Sequence, residues 1–204
     1  MSARQPIITD PEHLARAARS AYVCLRPSGG VAEAFDGIQR GLREVVGDDP
    51  ASWPAAHMTL KGFGSPERRV DDDAEPQLVT LVEGWARETA PLELEVDAVD
   101  AFAAERIPVV RIRRTQALGA ALADLRGRST ATGLTGDDDH IAPGDWIFHL
   151  SLVYYEGERW SEVEAAVRAV EVPRASCVVE EAELVGFDGG PERLLGRLPL
   201  LGSV

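Results

Sequence analysis

An α+β fold built by internal duplication is what this sequence predicts, and three observations carry the prediction. The tetrapeptide His57-Met58-Thr59-Leu60 returns as His149-Leu150-Ser151-Leu152, each time His, apolar, hydroxyl, apolar. Both copies are followed by the same order of elements: His strand, helix, long strand, turn and strand. Within that order, the run Leu94 to Phe102 is echoed by Val179 to Phe187. The simplest account is one domain of two pseudo-symmetric lobes, about 20–127 and about 146–204, with the two His strands lining one cleft.

The elements follow from local pattern. Ala21 to Leu25 is an apolar run stopped by Pro27 and Gly29-Gly30, which reads as a strand entering a turn. Phe35, Ile38, Leu42, Val45 and Val46 recur at helical spacing between Val31 and Gly47, so a helix is expected there. The first His strand runs from His57 to Phe63 after a proline-containing loop. Gly64 to Glu75, with Asp71-Asp72-Asp73, is a solvated loop, and Leu78 to Thr89 is helical. Leu92 to Phe102 alternates apolar and acidic residues as a strand does, with Ile107 to Ile112 its hairpin partner. Thr115 to Leu125 is an Ala/Leu-rich helix. Gly127 to Asp145, a loop at about 128–145, is Gly/Thr/Asp-rich without periodicity. A loop of that length serves either as a flap over the cleft or as an insertion. The second His strand, Trp146 to Tyr155, leads into a helix from Ser161 to Val170 with a Ser161–Glu164 capping box. A strand from Ser176 to Phe187, a turn at Asp188-Gly189-Gly190-Pro191 and a strand from Arg193 to Leu200 close the chain.

Composition narrows the function classes. At 204 residues, 45% hydrophobic and 27% charged, the chain can bury a proper core and reads as soluble. No apolar run approaches the roughly 20 residues that span a bilayer, and Met1 to Asp10 lacks a signal-peptide pattern. Cys24 and Cys177 lie in apolar, strand-like runs as free buried thiols, which fits a reducing cytoplasm and a cytoplasmic protein. The net charge of −13 argues against a grip on extended DNA or RNA, which needs a basic face. Only short basic clusters occur: Arg68-Arg69, Arg111-Arg113-Arg114 and Arg126-Arg128. The expected partner is a small nucleotide or an RNA end, met by a monomer.

Successive strand residues point to opposite faces. His57 and Thr59 therefore share one face while Met58 and Leu60 enter the core, and His149 and Ser151 do the same. A lone strand histidine is more often structural, but two of the four histidines here carry the same continuation. Two imidazoles would supply acid and base near neutral pH, with two hydroxyls between them to hold phosphate oxygens. Counting on by twos, Lys61 would add positive charge, Phe63 would form an aromatic wall, and Tyr155 would stack on a base or sugar while Tyr154 faces the core. Asp137-Asp138-Asp139-His140 reads as a solvated acidic run rather than a metal site. Gly186, Gly189 and Gly190 lack the strand-to-helix setting of a phosphate loop, and His13 reads as a surface residue.

On the two His-apolar-Ser/Thr-apolar tetrapeptides, spaced as they are in a duplicated α+β chain, the sequence resembles the two-histidine (2H) phosphoesterase superfamily, including the bacterial 2′-5′ RNA ligase and RNA cyclic phosphodiesterase group. The resemblance spans the chain from Ala21 to near Leu200. It implies two lobes, each an antiparallel sheet with outer helices, around a central cleft. It also implies metal-independent chemistry without cofactor, with His57 and His149 as the acid/base pair and Thr59 and Ser151 on the phosphate. The expected activity is hydrolysis of 2′,3′-cyclic phosphates or 2′-5′ phosphodiester bonds. Reversible 2′-5′ RNA ligation and a non-catalytic nucleotide- or RNA-binding module are the alternatives. One departure is Pro54, which stands three residues ahead of His57, where many members carry proline immediately before the histidine.

Overall fold

Two four-stranded antiparallel sheets meet along their His strands. The first holds β1 (Ser20–Leu25), β3 (Met58–Phe63), β9 (Glu181–Phe187) and β10 (Arg193–Pro199), in the order β10-β9-β1-β3. The second holds β4 (Leu92–Phe102), β5 (Ile107–Ile112), β6 (His149–Ser151) and β8 (Ser176–Val179), in the order β6-β5-β4-β8. A short ribbon pairs β2 (Ala51–Ser52) with β7 (Tyr154–Tyr155). Helices α1 (Gly29–Val46), α2 (Ala74–Glu88), α3 (Gln116–Thr132) and α4 (Trp160–Arg168) pack around the sheets. This computed structural model describes residues 5–8, 14–15, 17–64, 70 and 74–203. His13, the Arg68-Arg69 pair and the Asp71–Asp73 run lie outside the described residues. The fold class is the α+β arrangement of antiparallel sheets and outer helices expected from the sequence, with β3 and β6 touching at the sheet edges.

The lobes do not coincide with the sequence halves. The chain lays down β1 and β3, crosses through α2 to build β4, β5, β6 and β8, then returns to the first sheet as β9 and β10. Pairing β1 with β3 leaves the other edge of β1 open, and β9 covers it; β4 does the same for β5. The expected strand from Ser176 to Phe187 therefore breaks at Glu180: β8 pairs with β4, and β9 with β1.

Helix ends also differ from expectation. Thr115 caps α3 by accepting from the Leu118 amide at 3.1 Å. The helix continues past Gly127 to Thr132 and stops at Gly133 in the left-handed region, φ 75°. Beyond it the chain is ordered as two 3₁₀ turns, Asp137–His140 and Pro143–Asp145. α4 starts one residue before Ser161, so no capping box forms; Glu164 instead pairs with Arg168 at 2.7 Å.

A single large core binds both sheets. Val23, Leu25, Met58 and Leu60 from the first meet Leu94, Val110, Ile112 and Leu150 from the second, with Phe35, Trp85 and Leu122 from α1, α2 and α3. Burying each such side chain contributes on the order of 1.5–3 kcal/mol. Trp85 fixes α2 against α3 by donating its indole N–H to the Ala121 carbonyl at 3.0 Å. Cys24 is buried and Cys177 half-buried, both as free thiols. Among the described residues no helix is long and apolar enough to cross a membrane.

Candidate active site

Both histidines stand where a strand begins. His57 immediately precedes β3 and His149 opens β6. Each is hooked by the same device: His57 Nδ1–H donates to the Ala55 carbonyl at 2.8 Å, and His149 Nδ1–H to the Ile147 carbonyl at 2.9 Å. A carbonyl oxygen only accepts, so Nδ1 carries hydrogen in both rings and Nε2 is the nitrogen left to titrate. Burial holds the His149 pKa below the ordinary imidazole value; the Ile147 bond and Asp138 oppose that shift, and Arg111 adds to it. Arg111 lies opposite His149 in the β5–β6 register and is paired with Asp100 at 3.2 Å. The Phe102 ring stands edge-to-face on the His149 imidazole, centroids 4.8 Å apart.

The hydroxyls follow their histidines. Thr59 lies opposite Cys24 in the β1–β3 register, its Oγ1 4.0 Å from the thiol. Burial pushes that thiol up to about 12, so Cys24 remains a protonated thiol rather than a nucleophile. Ser151 is buried opposite Val109 and shares a hydrogen bond with the Tyr154 hydroxyl. Tyr154 in turn lies within electrostatic reach of Tyr22 and Cys24 on the first sheet.

Three expected site residues face elsewhere. In β3 the pairing passes from Cys24↔Thr59 to Val23↔Lys61 and leaves Leu60 as an extra residue. Such a bulge exchanges the faces of everything beyond it. Lys61 and Phe63 therefore turn to the core face, each 1% exposed or less. Lys61 Nζ is held by Asp139 at 2.6 Å and the Gly62 carbonyl at 3.1 Å, so its charge is spent on an internal ion pair. Tyr155 fails for a related reason: Leu152 and Val153 interrupt the strand between β6 and β7, and alternation from His149 does not carry through them. Its hydroxyl donates to Asp49 Oδ2 at 2.5 Å and accepts from the Arg159 amide at 2.9 Å, beneath α1 and α4. Tyr154, expected in the core, takes the cleft side instead.

Asp138 lies beside His149 although its sequence context reads as solvated. Within the acidic run, Asp139 closes the pair with Lys61 and accepts from the Gly136 amide at 2.8 Å. Asp138 is free of that work, half-buried, and lines the same pocket as His149. A Cβ on Gly62 would fall 3.5 Å from its Oδ2 and 3.2 Å from the Tyr22 ring. Burial raises the Asp138 pKa, against the pull of Lys61 and Arg126. Gly136 lets this segment dock, since a Cβ there would collide with the Gly62 carbonyl oxygen. Alternation around a single run of acids carries no signal for such a split of roles. Among the described residues no three His, Cys, Asp or Glu side chains cluster as metal ligands.

No curated protein matches this sequence. Among solved structures the fold is similar to TT0787 of Thermus thermophilus, with a TM-score of 0.65 and 19% identity over 91% of this chain and 100% of that one. It is similar to E. coli LigT in complex with 3′-AMP, with a TM-score of 0.60 and 18% identity over 89% and 98%. Kluyveromyces marxianus Usb1 aligns with a TM-score of 0.55 and 11% identity over 90% and 99%. The profile of the 2′-5′ RNA ligase superfamily matches residues 27–191, and with both His-x-Thr/Ser strands inside that span, the chain belongs to this superfamily of 2H phosphoesterases.

Proposed function

We propose that the protein is a phosphodiesterase that opens 2′,3′-cyclic phosphates of a nucleotide or RNA end, or cleaves 2′-5′ bonds, with His57 and His149 as its acid/base pair and no metal in the step. The observation that supports this reading is the shared Nδ1–carbonyl hook, which fixes both imidazoles in the same tautomer with Nε2 as the titrating nitrogen. Neutral His149, favoured by its burial, takes the proton from water as the water oxygen bonds to phosphorus. Protonated His57 gives its Nε2 proton to the departing ribose 3′ oxygen, leaving a 2′-monophosphate and a free 3′-hydroxyl. Thr59 and Ser151 donate to the non-bridging oxygens as charge builds on them, and Arg111 adds a cation beside His149. The LigT structures with 3′-AMP, NADP+, ATP and phosphate support a small nucleotide as the occupant of such a cleft. The acidic balance disfavours ligation, which must hold two RNA ends at once.

The test is hydrolysis of the four nucleoside 2′,3′-cyclic monophosphates in EDTA. Turnover to 2′-monophosphate is expected, lost by orders of magnitude in His57→Ala and His149→Ala. Thr59→Val and Ser151→Ala should each cost about 10²-fold, the scale of one transition-state donor. Activity that EDTA abolishes and zinc or manganese restores would sink the paired-imidazole mechanism. Nucleotide binding without turnover by the wild type would leave a binding module.

A further inference from the structure

Next to His149 the cleft opens into a pocket of about 310 Å³, lined by Phe102, Ile141, Trp146, Ile147, His149 and three acids, Asp138, Glu105 and Asp145. Its walls are aromatic and aliphatic, its charged groups besides the His149 ring are carboxylates, and no lysine or arginine lines it. Such a lining repels phosphate and receives a flat, apolar ring that carries hydrogen-bond donors. The volume, at the low end for a ligand site, suits one nucleoside rather than a run of nucleotides. His149 belongs to both the pocket and the acid/base pair. A nucleoside whose phosphate lies between the imidazoles therefore has its base within reach of this pocket.

We propose that the pocket is a nucleobase site, and that Asp138 selects bases presenting adjacent N–H donors, guanine first and uracil last. The inference rests on the phosphodiesterase reading for the placement of the phosphate, and on the pocket alone for the choice of base. Asp138 is half-buried, and among the described residues no group donates a hydrogen bond to its carboxylate. A desolvated acceptor without a donor gains most from a ligand that brings one. Guanine presents N1–H and its 2-amino group side by side, a fork that both oxygens of one carboxylate accept, as they accept arginine's. Adenine and cytosine offer one amino group beside an acceptor nitrogen. Uracil sets its single N–H between two carbonyls, which a carboxylate repels. Phe102 and Trp146 supply ring faces against which any base can lie.

Two measurements on wild type and Asp138→Asn test this: kcat/KM for the four nucleoside 2′,3′-cyclic phosphates, and calorimetric Kd for the four nucleoside 2′-monophosphates. The wild type should favour guanosine over uridine by tenfold or more, about the size of one hydrogen bond to a charged group. In Asp138→Asn that ratio should fall to about twofold in both measurements. Equal losses for all four bases in the variant would overturn the proposal, because Asp138 would then act on His149 and not on the base. A wild type without base ranking in either measurement overturns it as well. Ranked binding without turnover of any cyclic phosphate would support the base site while removing the hydrolytic reading.

Discussion

His149 carries a pKa below the ordinary imidazole value of 6.5, because burial penalises its cation more than the Ile147 carbonyl and Asp138 favour it. If His149 is the base of the pair, as proposed, it must be neutral to act, and the acid limb of kcat/KM on a cyclic nucleotide should have its midpoint below 6.5. The alkaline limb follows loss of the acid's proton, giving a bell. NMR titration of the ring protons should assign the lower midpoint to His149; a His149 midpoint at or above 6.5 would reverse the roles of the two rings. The same shift acts on stability. Between the folded pKa and 6.5 the unfolded chain holds a proton that folded His149 lacks, so the His149 contribution to stability rises with pH through that window and is level above it. Replacing His149 by Asn should remove that slope from urea midpoints measured across the window. The strand placement of the two histidines and their hydroxyls was legible in the sequence because each lies within two residues of a strand start, where alternation holds. Lys61, Phe63 and Tyr155 were misplaced because alternation was carried across the Leu60 bulge and the Leu152–Val153 break, which no single-residue pattern marks.

The segment after α3 is tied to β3 by more than chain connectivity. Gly64 donates its amide to the Thr135 carbonyl at 2.9 Å, Gly64 and Gly136 form a parallel bridge, and Lys61 reaches across to Asp139. The two ends of that ion pair are unlike: the Lys61 side chain is 1% exposed, that of Asp139 23%. Asp139→Asn keeps the shape and an acceptor for Gly136 but leaves a buried ammonium without its counter-charge. It should cost about 3 kcal/mol, the scale for stranding one partner of a buried pair. Lys61→Met removes the charge that is costly to bury and leaves a carboxylate that water reaches, so its cost should stay within about 1 kcal/mol. Urea unfolding of both variants checks the order; a more damaging Lys61→Met would mean that Asp139 is the desolvated end. Most elements were readable, with β4 and β5 matching their expected ends and α1 and β10 ending within a residue or two. The ion pair that anchors the 137–140 turn was not. An acidic run reads as solvated until the basic partner it meets is known, and Lys61 lies far away in sequence.

The echo of the two His strands was visible, but the exchange of hairpins between sheets was not, because local pattern does not say which open edge a hairpin will fill. That exchange has a consequence for unfolding. The first sheet is incomplete until β9 and β10 return from the second, and β9 is reached only through β8, which is paired there with β4. The main core draws side chains from both sheets and from all of α1, α2, α3 and α4, so separating the lobes would expose Leu25, Leu60, Leu94 and Leu150 together. Outside that core the first sheet keeps, among the described residues, only a small cluster around Cys24, Val185 and Phe187, so the chain should unfold as a single cooperative unit. Urea transitions followed by far-UV circular dichroism and by tryptophan fluorescence should share one midpoint. Trp85 and Trp146 report the shared core, Trp160 reports the smaller cluster around Val46 and Tyr155, and Trp53 packs against both. Two separated midpoints, or an amide-exchange pattern that protects one sheet while the other opens, would mean that the halves fold on their own. In that case the cleft geometry would depend on a hinge rather than on one continuous core.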